Sequence, residues 1–346
     1  MSAEPAALHY PHPQGPEEGT VLEVAPGLHW VRMRMPFPPE QINLWLLDDG
    51  PGWTIVDCGL GLDTTRAAWE RIFAERLDGR PVTRVIVTHF HPDHVGNAAW
   101  LGARWGVETW MTQTEWLSAR AVHAPADDTD IAAKLDFYRR NGVAATDLET
   151  MRTPHNVFYR RMVPDLPARF VRLRAGQDLA IGGRRWRVLI GRGHAPEHAC
   201  LWCEDLGVLI AGDMLLPRIS PNVSVWASEP LGDPLAEFLA SLDGLAQVAP
   251  DTLVLPAHGL PYVGARARIA ALQAHHATHL DAIAAALAQA PRHAVACFPL
   301  LFRRAIGANN MGLALGEAVA HLHRLEAAGR VGRETGADGI HRFRTR

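Results

Sequence analysis

The sequence predicts an α+β fold in which β-sheets are covered by helices, followed by a helical extension. Three observations carry this expectation. Short strand-like runs separated by turns occupy the stretch from Val21 to Val56. Strand and helix patterns then alternate, and strands resume between Phe170 and Leu255. Beyond Pro261 the pattern becomes helical.

The elements follow in order. Val21-Leu22-Glu23-Val24, Leu28-His29-Trp30-Val31, Asn43-Leu44-Trp45-Leu46-Leu47 and Trp53-Thr54-Ile55-Val56 read as a β-meander. Asp48-Asp49-Gly50-Pro51-Gly52 is a strong hairpin turn between its last two strands. Thr64 to Leu77 has helical spacing, the β-branched run Thr83 to Thr88 predicts a buried strand, and Asn97 to Arg104 a helix. Residues Trp110–Arg169 are mostly helical, carry Trp116, Phe137, Tyr138, Phe158 and Tyr159, and read as an insertion that could cover a site. Strands return at Phe170–Leu173, Trp186–Ile190, Ala199–Cys203, Val208–Ala211 and Thr252–Leu255. Ala265 to Gln289 predicts a long amphipathic helix, with further helices at Phe298–Ala305 and Gly312–Ala328. Glu334 to Gly339 is a turn between two short strand-like runs, and helix, helix, hairpin is the order of a winged helix. The expected division is a flexible tail over 1–19, with prolines at 5, 11, 13 and 16, a main domain over 20–264 and a C-terminal domain over 265–346.

Composition removes several function classes. Hydrophobic residues at 48% and charged residues at 21% suit a globular protein rather than a disordered or fibrous one. The formal charge of −3 gives no overall basic field for nucleic acid. Only one of the 34 basic residues is a lysine, Lys134, and no glycine precedes it, so no phosphate-binding loop is present. The Gly-rich loop and strand lysine of a kinase are also missing. Four cysteines are too few for a disulfide scaffold at this length, and Leu201-Trp202 inside Cys200-x-x-Cys203 indicates a buried strand. The start lacks a basic region followed by an apolar one, and no run of about 18 apolar residues occurs, so the expectation is a cytoplasmic protein without a membrane partner.

Thr88-His89-Phe90-His91-Pro92-Asp93-His94 is the most informative segment. His89 and His91 stand two apart at a strand end and therefore point to one side. Asp93 and His94 follow where Pro92 supports a sharp turn into a helix. Mixed imidazole and carboxylate ligands on such a rigid turn suit zinc, iron or manganese. Three later residues sit where strands give way to loops: His194 in Gly193-His194-Ala195-Pro196-Glu197-His198, Asp213 after Leu209-Ile210-Ala211-Gly212, and His258 in Pro256-Ala257-His258-Gly259.

These motifs together resemble the metallo-β-lactamase superfamily: His-x-His-x-Asp-His, then Gly-His, Gly-Asp and Ala-His-Gly, spread over most of Val21–Pro261. The resemblance implies an αββα sandwich with metals at one edge. It implies one metal held by His89, His91 and His194, a second held by Asp93, His94 and His258, and Asp213 bridging the two. Asp57 matches an aspartate of the family that supports the site from behind the ligands. His198 is the alternative to His194 as ligand, and the family pattern favours His194. His29, His275, His276, His279 and His321 have no such context.

The chemistry so implied is hydrolysis. Two cations about 3.5–4 Å apart lower the pKa of a shared water, so the nucleophile is a bridging hydroxide that Asp93 orients while moving protons. Esters, thioesters, lactones, amides and phosphodiesters all fit. The tail is similar to that of the β-lactamase-like endoribonucleases, whereas the metal motifs also resemble glyoxalase II. The leading expectation is a two-metal hydrolase, with zinc first, acting on a small ester, thioester or lactone. A nuclease using Arg303, Arg304, Arg324, Arg330, Arg333, Arg342, Arg344 and Arg346 is the first alternative, although those arginines also suit a solvated face or a homodimer contact. A one-iron persulfide dioxygenase, sharing the first metal's ligands, is the second.

Overall fold

In the computed structural model, which describes residues 8–152, 155–307 and 310–346, the meander becomes β1 (Val21–Ala25), β2 (Leu28–Arg34), β3 (Gln41–Asp48) and β4 (Trp53–Val56), paired antiparallel. The hairpin turn closes β3 on β4, with Asp48 opposite Trp53. Parallel strands β5 (Val82–Ile86), β6 (Thr109–Thr112) and β7 (Phe170–Leu173) extend the sheet to seven. Parallel neighbours need long crossovers. These are α1 (Asp63–Arg76), then α2 (Pro92–Val95) with α3 (Ala98–Trp105), then α4 (Gln113–His123), α5 (Asp128–Arg140), α6 (Ala145–Thr150) and α7 (His155–Met162).

The second sheet has six strands: β8 (Asp178–Ile181), β9 (Arg184–Gly191), β10 (His198–Cys203), β11 (Val208–Gly212), β12 (Leu253–Pro256) and β13 (Tyr262–Val263), in spatial order β13-β12-β11-β10-β9-β8. Helix α8 (Pro234–Leu245) crosses between β11 and β12. The chain ends with α9 (Ala265–Gln289), a 3-10 turn at Ala294–Cys297, α10 (Phe298–Leu301), α11 (Met311–Ala327) and the hairpin β14 (Val331–Thr335) and β15 (His341–Thr345).

The layers are set by which face each side chain takes. Along β3, Trp45 and Leu47 join Trp30 and Val56 against Trp186, Val188, Leu201 and Ile210 of the second sheet. Leu44 and Leu46 point the other way, onto Trp69, Ile72 and Phe73 of α1 and Leu101 of α3. Leu209, Ala211 and Val254 on the far face of the second sheet pack on Phe238 and Leu242 of α8, Leu272 of α9 and Leu315 of α11. The result is helix, sheet, sheet, helix. Because β3 is buried on both faces, it reads as a continuous apolar run rather than an alternating one.

Three expectations need adjustment. The start is docked at His9, which exchanges both backbone hydrogen bonds with Val263 at 3.1 and 2.8 Å; residues 1–7 lie outside the described residues. Phe298–Ala305 is not one helix: α10 ends at Leu301, where Phe302 turns extended, and the 3-10 turn Ala294–Cys297 precedes it. The aromatic residues of 110–169 disperse: Trp116 stacks on Phe170, while Phe137 and Tyr138 enter the cluster around α11. In α11 itself eleven of the seventeen residues are buried. Among the described residues no helix is long and apolar enough to cross a membrane.

One buried side chain ties the two sheets together. Asn43 accepts from Trp30 Nε1 at 2.8 Å and donates to the carbonyls of Pro256 and Gly259 at 2.8 and 2.7 Å. Asn43→Ala would orphan all three partners, and we expect a loss of about 1–3 kcal/mol. A lower urea midpoint at unchanged slope would report it; an unshifted midpoint would contradict this role.

Candidate metal centre

Every motif residue falls just beyond the end of a strand, at one edge of the sandwich. Asp57 follows β4, His89 to His94 follow β5, His194 follows β9, Asp213 follows β11 and His258 follows β12. Two glycines explain the Gly-His and Gly-Asp pairs. Gly193 has φ +93°, and a Cβ there would lie 2.4 Å from the Pro234 carbonyl; Gly212 has φ +51°, and a Cβ would lie 2.4 Å from His198 Nε2. Both turns require the missing side chain.

The donor atoms form two adjacent groups, His89, His91, His194 and Asp213 in one and Asp93, His94 and His258 in the other, each within 4.8 Å. In the first, His89 Nε2 lies 2.8 Å from His91 Nδ1 and 3.3 Å from His194 Nε2. In the second, Asp93 Oδ2 lies 3.3 Å from His258 Nε2 and 3.7 Å from His94 Nε2. Asp213 serves both: Oδ2 is 3.2 Å from His194 Nε2, and Oδ1 is 3.7 Å from both His94 Nε2 and His258 Nε2.

The orientation of three imidazoles is fixed from behind. His94 Nδ1 meets Asp57 Oδ2, His194 Nδ1 the Asn222 carbonyl and His258 Nδ1 the Gln41 carbonyl, each at 2.8 Å. A carbonyl can only accept, so Nδ1 of His194 and His258 carries the proton and Nε2, when the ring is neutral, offers its lone pair to the centre. Asp57 also accepts from the Thr88 backbone N–H and hydroxyl at 2.8 and 2.9 Å. Its own φ of +64° is the left-handed region, a local strain stored where the support is needed.

The electrostatics suit a cation. Burial, reinforced by the neighbouring His194, pushes His91 down to about 3, and burial with the surrounding histidines holds His89 well below its usual range. Burial also opposes the charged form of His94, but Asp57, Asp93 and Asp213 outweigh it and raise this imidazole to about 10. His258 is raised by Asp213 and Asp93 against the same burial. Asp213 stays well below the carboxylate range because His258 and His94 overcome its desolvation. His94 Nε2 and Asp213 Oδ1 are buried without a hydrogen-bond partner, and both face the centre. Two orphaned atoms, a carboxylate oxygen and an imidazole nitrogen that offers a lone pair when its ring is neutral, fit a divalent ion amid the converging donors.

All eight residues expected from the sequence thus meet at one place. His198 is in neither donor group: it is fully buried, its ring stacks on His89 with centroids 4.7 Å apart, and its Nε2 accepts from the Asp213 backbone N–H at 3.2 Å. Sequence reasoning missed Glu115, Asn222 and Glu317. Glu115 is fully buried on α4 and accepts from the backbone N–H of Phe90 and of Glu197; burial lifts its carboxyl to about 7 despite those two bonds. Asn222, whose carbonyl orients His194, reaches Glu317 of α11 at 3.4 Å, and burial raises that carboxyl to about 7. No local motif marks Asn222 or Glu317, and the one local signal at Glu115 is the Thr112-x-x-Glu115 spacing of a helix start.

Comparison with known proteins identifies the family. The profile described as metallo-beta-lactamase superfamily matches residues 37–258, and the one described as metallo-beta-lactamase-like, C-terminal domain matches residues 280–346. The chain belongs to the metallo-β-lactamase superfamily and is a hydrolase of that fold. A β-lactamase domain protein from Burkholderia ambifaria has a similar crystal structure, with 45% identity, a TM-score of 0.91 and 98% of each chain covered. The probable metallo-hydrolase YqjP of Bacillus subtilis is 25% identical over 86% of this chain and 91% of its own length. The acyl-coenzyme A thioesterase MBLAC2 of Gallus gallus is 26% identical over 55% of this chain and 63% of its own.

Metal ligation requires neutral imidazoles, whereas the carboxylates around His94 and His258 favour their protonated forms. Zinc uptake near pH 7 should therefore release about one proton or more per chain, and affinity should rise with pH. Titration calorimetry in two buffers of different ionisation enthalpy checks this. Identical heats in both buffers would contradict it.

Proposed function

We propose that this hydrolase is a two-metal enzyme acting on a small ester, thioester or lactone. The observation that carries the reading is Asp213, whose two carboxylate oxygens face different donor groups. One cation would be held by His89, His91 and His194, the other by Asp93, His94 and His258, with Asp213 shared and Asp57 fixing His94. Bound there, two divalent ions, zinc first and iron or manganese as alternatives, supply an activated water and a counter-charge for the developing oxyanion. Asp93 lies in the centre beside His258 and is the carboxylate that orients the nucleophile and carries its proton to the leaving group.

The substrate class draws on the thioesterase relative and on the tail. A nucleic-acid reading needs α11 free to enter a groove, and most of that helix is buried. Five of the tail arginines are also engaged: Arg324 with Asp233, Arg330 with Asp281, Arg333 with Glu326, Arg342 with Asp338 and Arg344 with Glu334. These pairs leave little for a phosphate track. A one-iron centre would leave the complete second donor group without a role.

Elemental analysis should find two metals per chain, and a panel of thioesters, lactones, activated esters, phosphodiesters and RNA should show turnover of the first three. Asp213→Ala should lose metal and lower kcat/KM by about 10²–10³-fold or more. Full occupancy by two metals in that variant would overturn the shared role of Asp213, and preferential RNA cleavage would overturn the substrate class.

A further inference from the structure

We propose that Glu115 and Tyr159 are positioning residues that set the distance between the two chain segments carrying His89, His91 and His194, and so tune one metal site separately from the other. The inference rests on the ligand assignment above. Phe90 lies between His89 and His91, and both of its backbone polar groups are taken by the helical segment: its N–H donates to Glu115 Oε2 at 2.9 Å, and its carbonyl accepts from the Tyr159 hydroxyl at 2.7 Å. Glu197, three residues after His194, is gripped in the same way. Its N–H donates to Glu115 Oε1 at 2.6 Å, and its carbonyl accepts from the Thr112 hydroxyl at 2.9 Å. One carboxylate therefore bridges the loop after β5 and the turn after β9, with one oxygen on each.

The local chemistry of α4 makes this arrangement informative. Thr112-Gln113-Thr114-Glu115 has the threonine and glutamate spacing of a capping box, in which each side chain would satisfy the other residue's backbone at the helix start. Thr112 is the N-cap residue, yet it makes no side-chain cap bond. Both side chains are instead directed at Glu197, and Glu115 also at Phe90. The helix gives up its own cap to hold the ligand segments. Glu115 is fully buried, and each of the two N–H donors, from separate segments, takes one of its two oxygens, whose spacing is fixed by the carboxylate. Tyr159 is buried as well, and its hydroxyl closes the far side of the Phe90 peptide. The second donor group has different anchors, Asp57 behind His94 and the Gln41 carbonyl behind His258, so the clamp should not reach it.

The test is zinc binding to metal-depleted full-length protein, measured by competition with a chromophoric chelator. Glu115→Gln keeps the size but replaces one acceptor with an amide donor, and Tyr159→Phe removes only the hydroxyl. Each should weaken one of the two ions by about 10–100-fold while the other stays within about threefold. In the background of His91→Ala, which removes a ligand of that site, neither substitution should weaken the remaining ion further. Far-ultraviolet circular dichroism of the metal-depleted variants checks the fold, and if Glu115→Gln does not fold, Tyr159→Phe alone decides. Both constants unchanged, or both ions weakened equally, overturns the clamp. Two tightly held ions in His91→Ala would instead overturn the ligand assignment, and the clamp with it.

Discussion

Lone pairs that converge on one point repel each other and must be held in place from outside. This constraint governs the molecule. His89 Nε2 lies 2.8 Å from His91 Nδ1 and 3.3 Å from His194 Nε2, and rings that are all to offer lone pairs to one ion must have their orientation held. For three rings of the centre the holding is done by groups that can only accept: a carboxylate for His94 and main-chain carbonyls for His194 and His258. Those acceptors belong to different elements, so the pocket exists only once both sheets and the loops between them are in register. Asn43, bonded to both the first sheet and the loop of His258, shows how the sandwich itself supplies that register.

The layered architecture serves this arrangement by ending many strands at one edge. The inner faces bury large apolar side chains, Trp30, Trp45 and Trp186 among them, which makes the strands stiff. The ligands then need only short loops to reach one another. Strain is confined to a few positions, notably Asp57 and the glycines before His194 and Asp213, where packing on either side fixes the backbone.

Much of this was legible in the sequence because ligands and strand ends are local signals. The β-meander, the hairpin turn at Asp48–Gly52 and the helix Ala265–Gln289 depend on short-range patterning and were read from it, as were the eight residues of the centre. The short edge strands β8 and β13 and helix α8 were not, since two to four residues carry no period and α8 has no strong start signal beyond Asp233-Pro234. The aromatic residues of α4 to α7 suggested a cover over the site, but composition does not tell which way a side chain points. Trp116 and Tyr138 pack elsewhere, and Tyr159 acts on the main chain of the ligand loop. Glu115 was invisible for the same reason: its partners are backbone groups 25 and 82 residues away.

The contact between Asn222 and Glu317 bears on how the protein comes into being. Asn222 presents the carbonyl that orients His194, Ser224 hydrogen-bonds the Asn222 side chain at 2.7 Å and the Leu313 carbonyl at 3.2 Å, and Val225 donates to the Gly316 carbonyl at 3.1 Å. A nascent chain that has emerged only as far as His258 already contains every candidate ligand, yet it lacks the helix that latches the loop behind one of them. The support behind His194 is therefore complete only when α11 has docked on this loop.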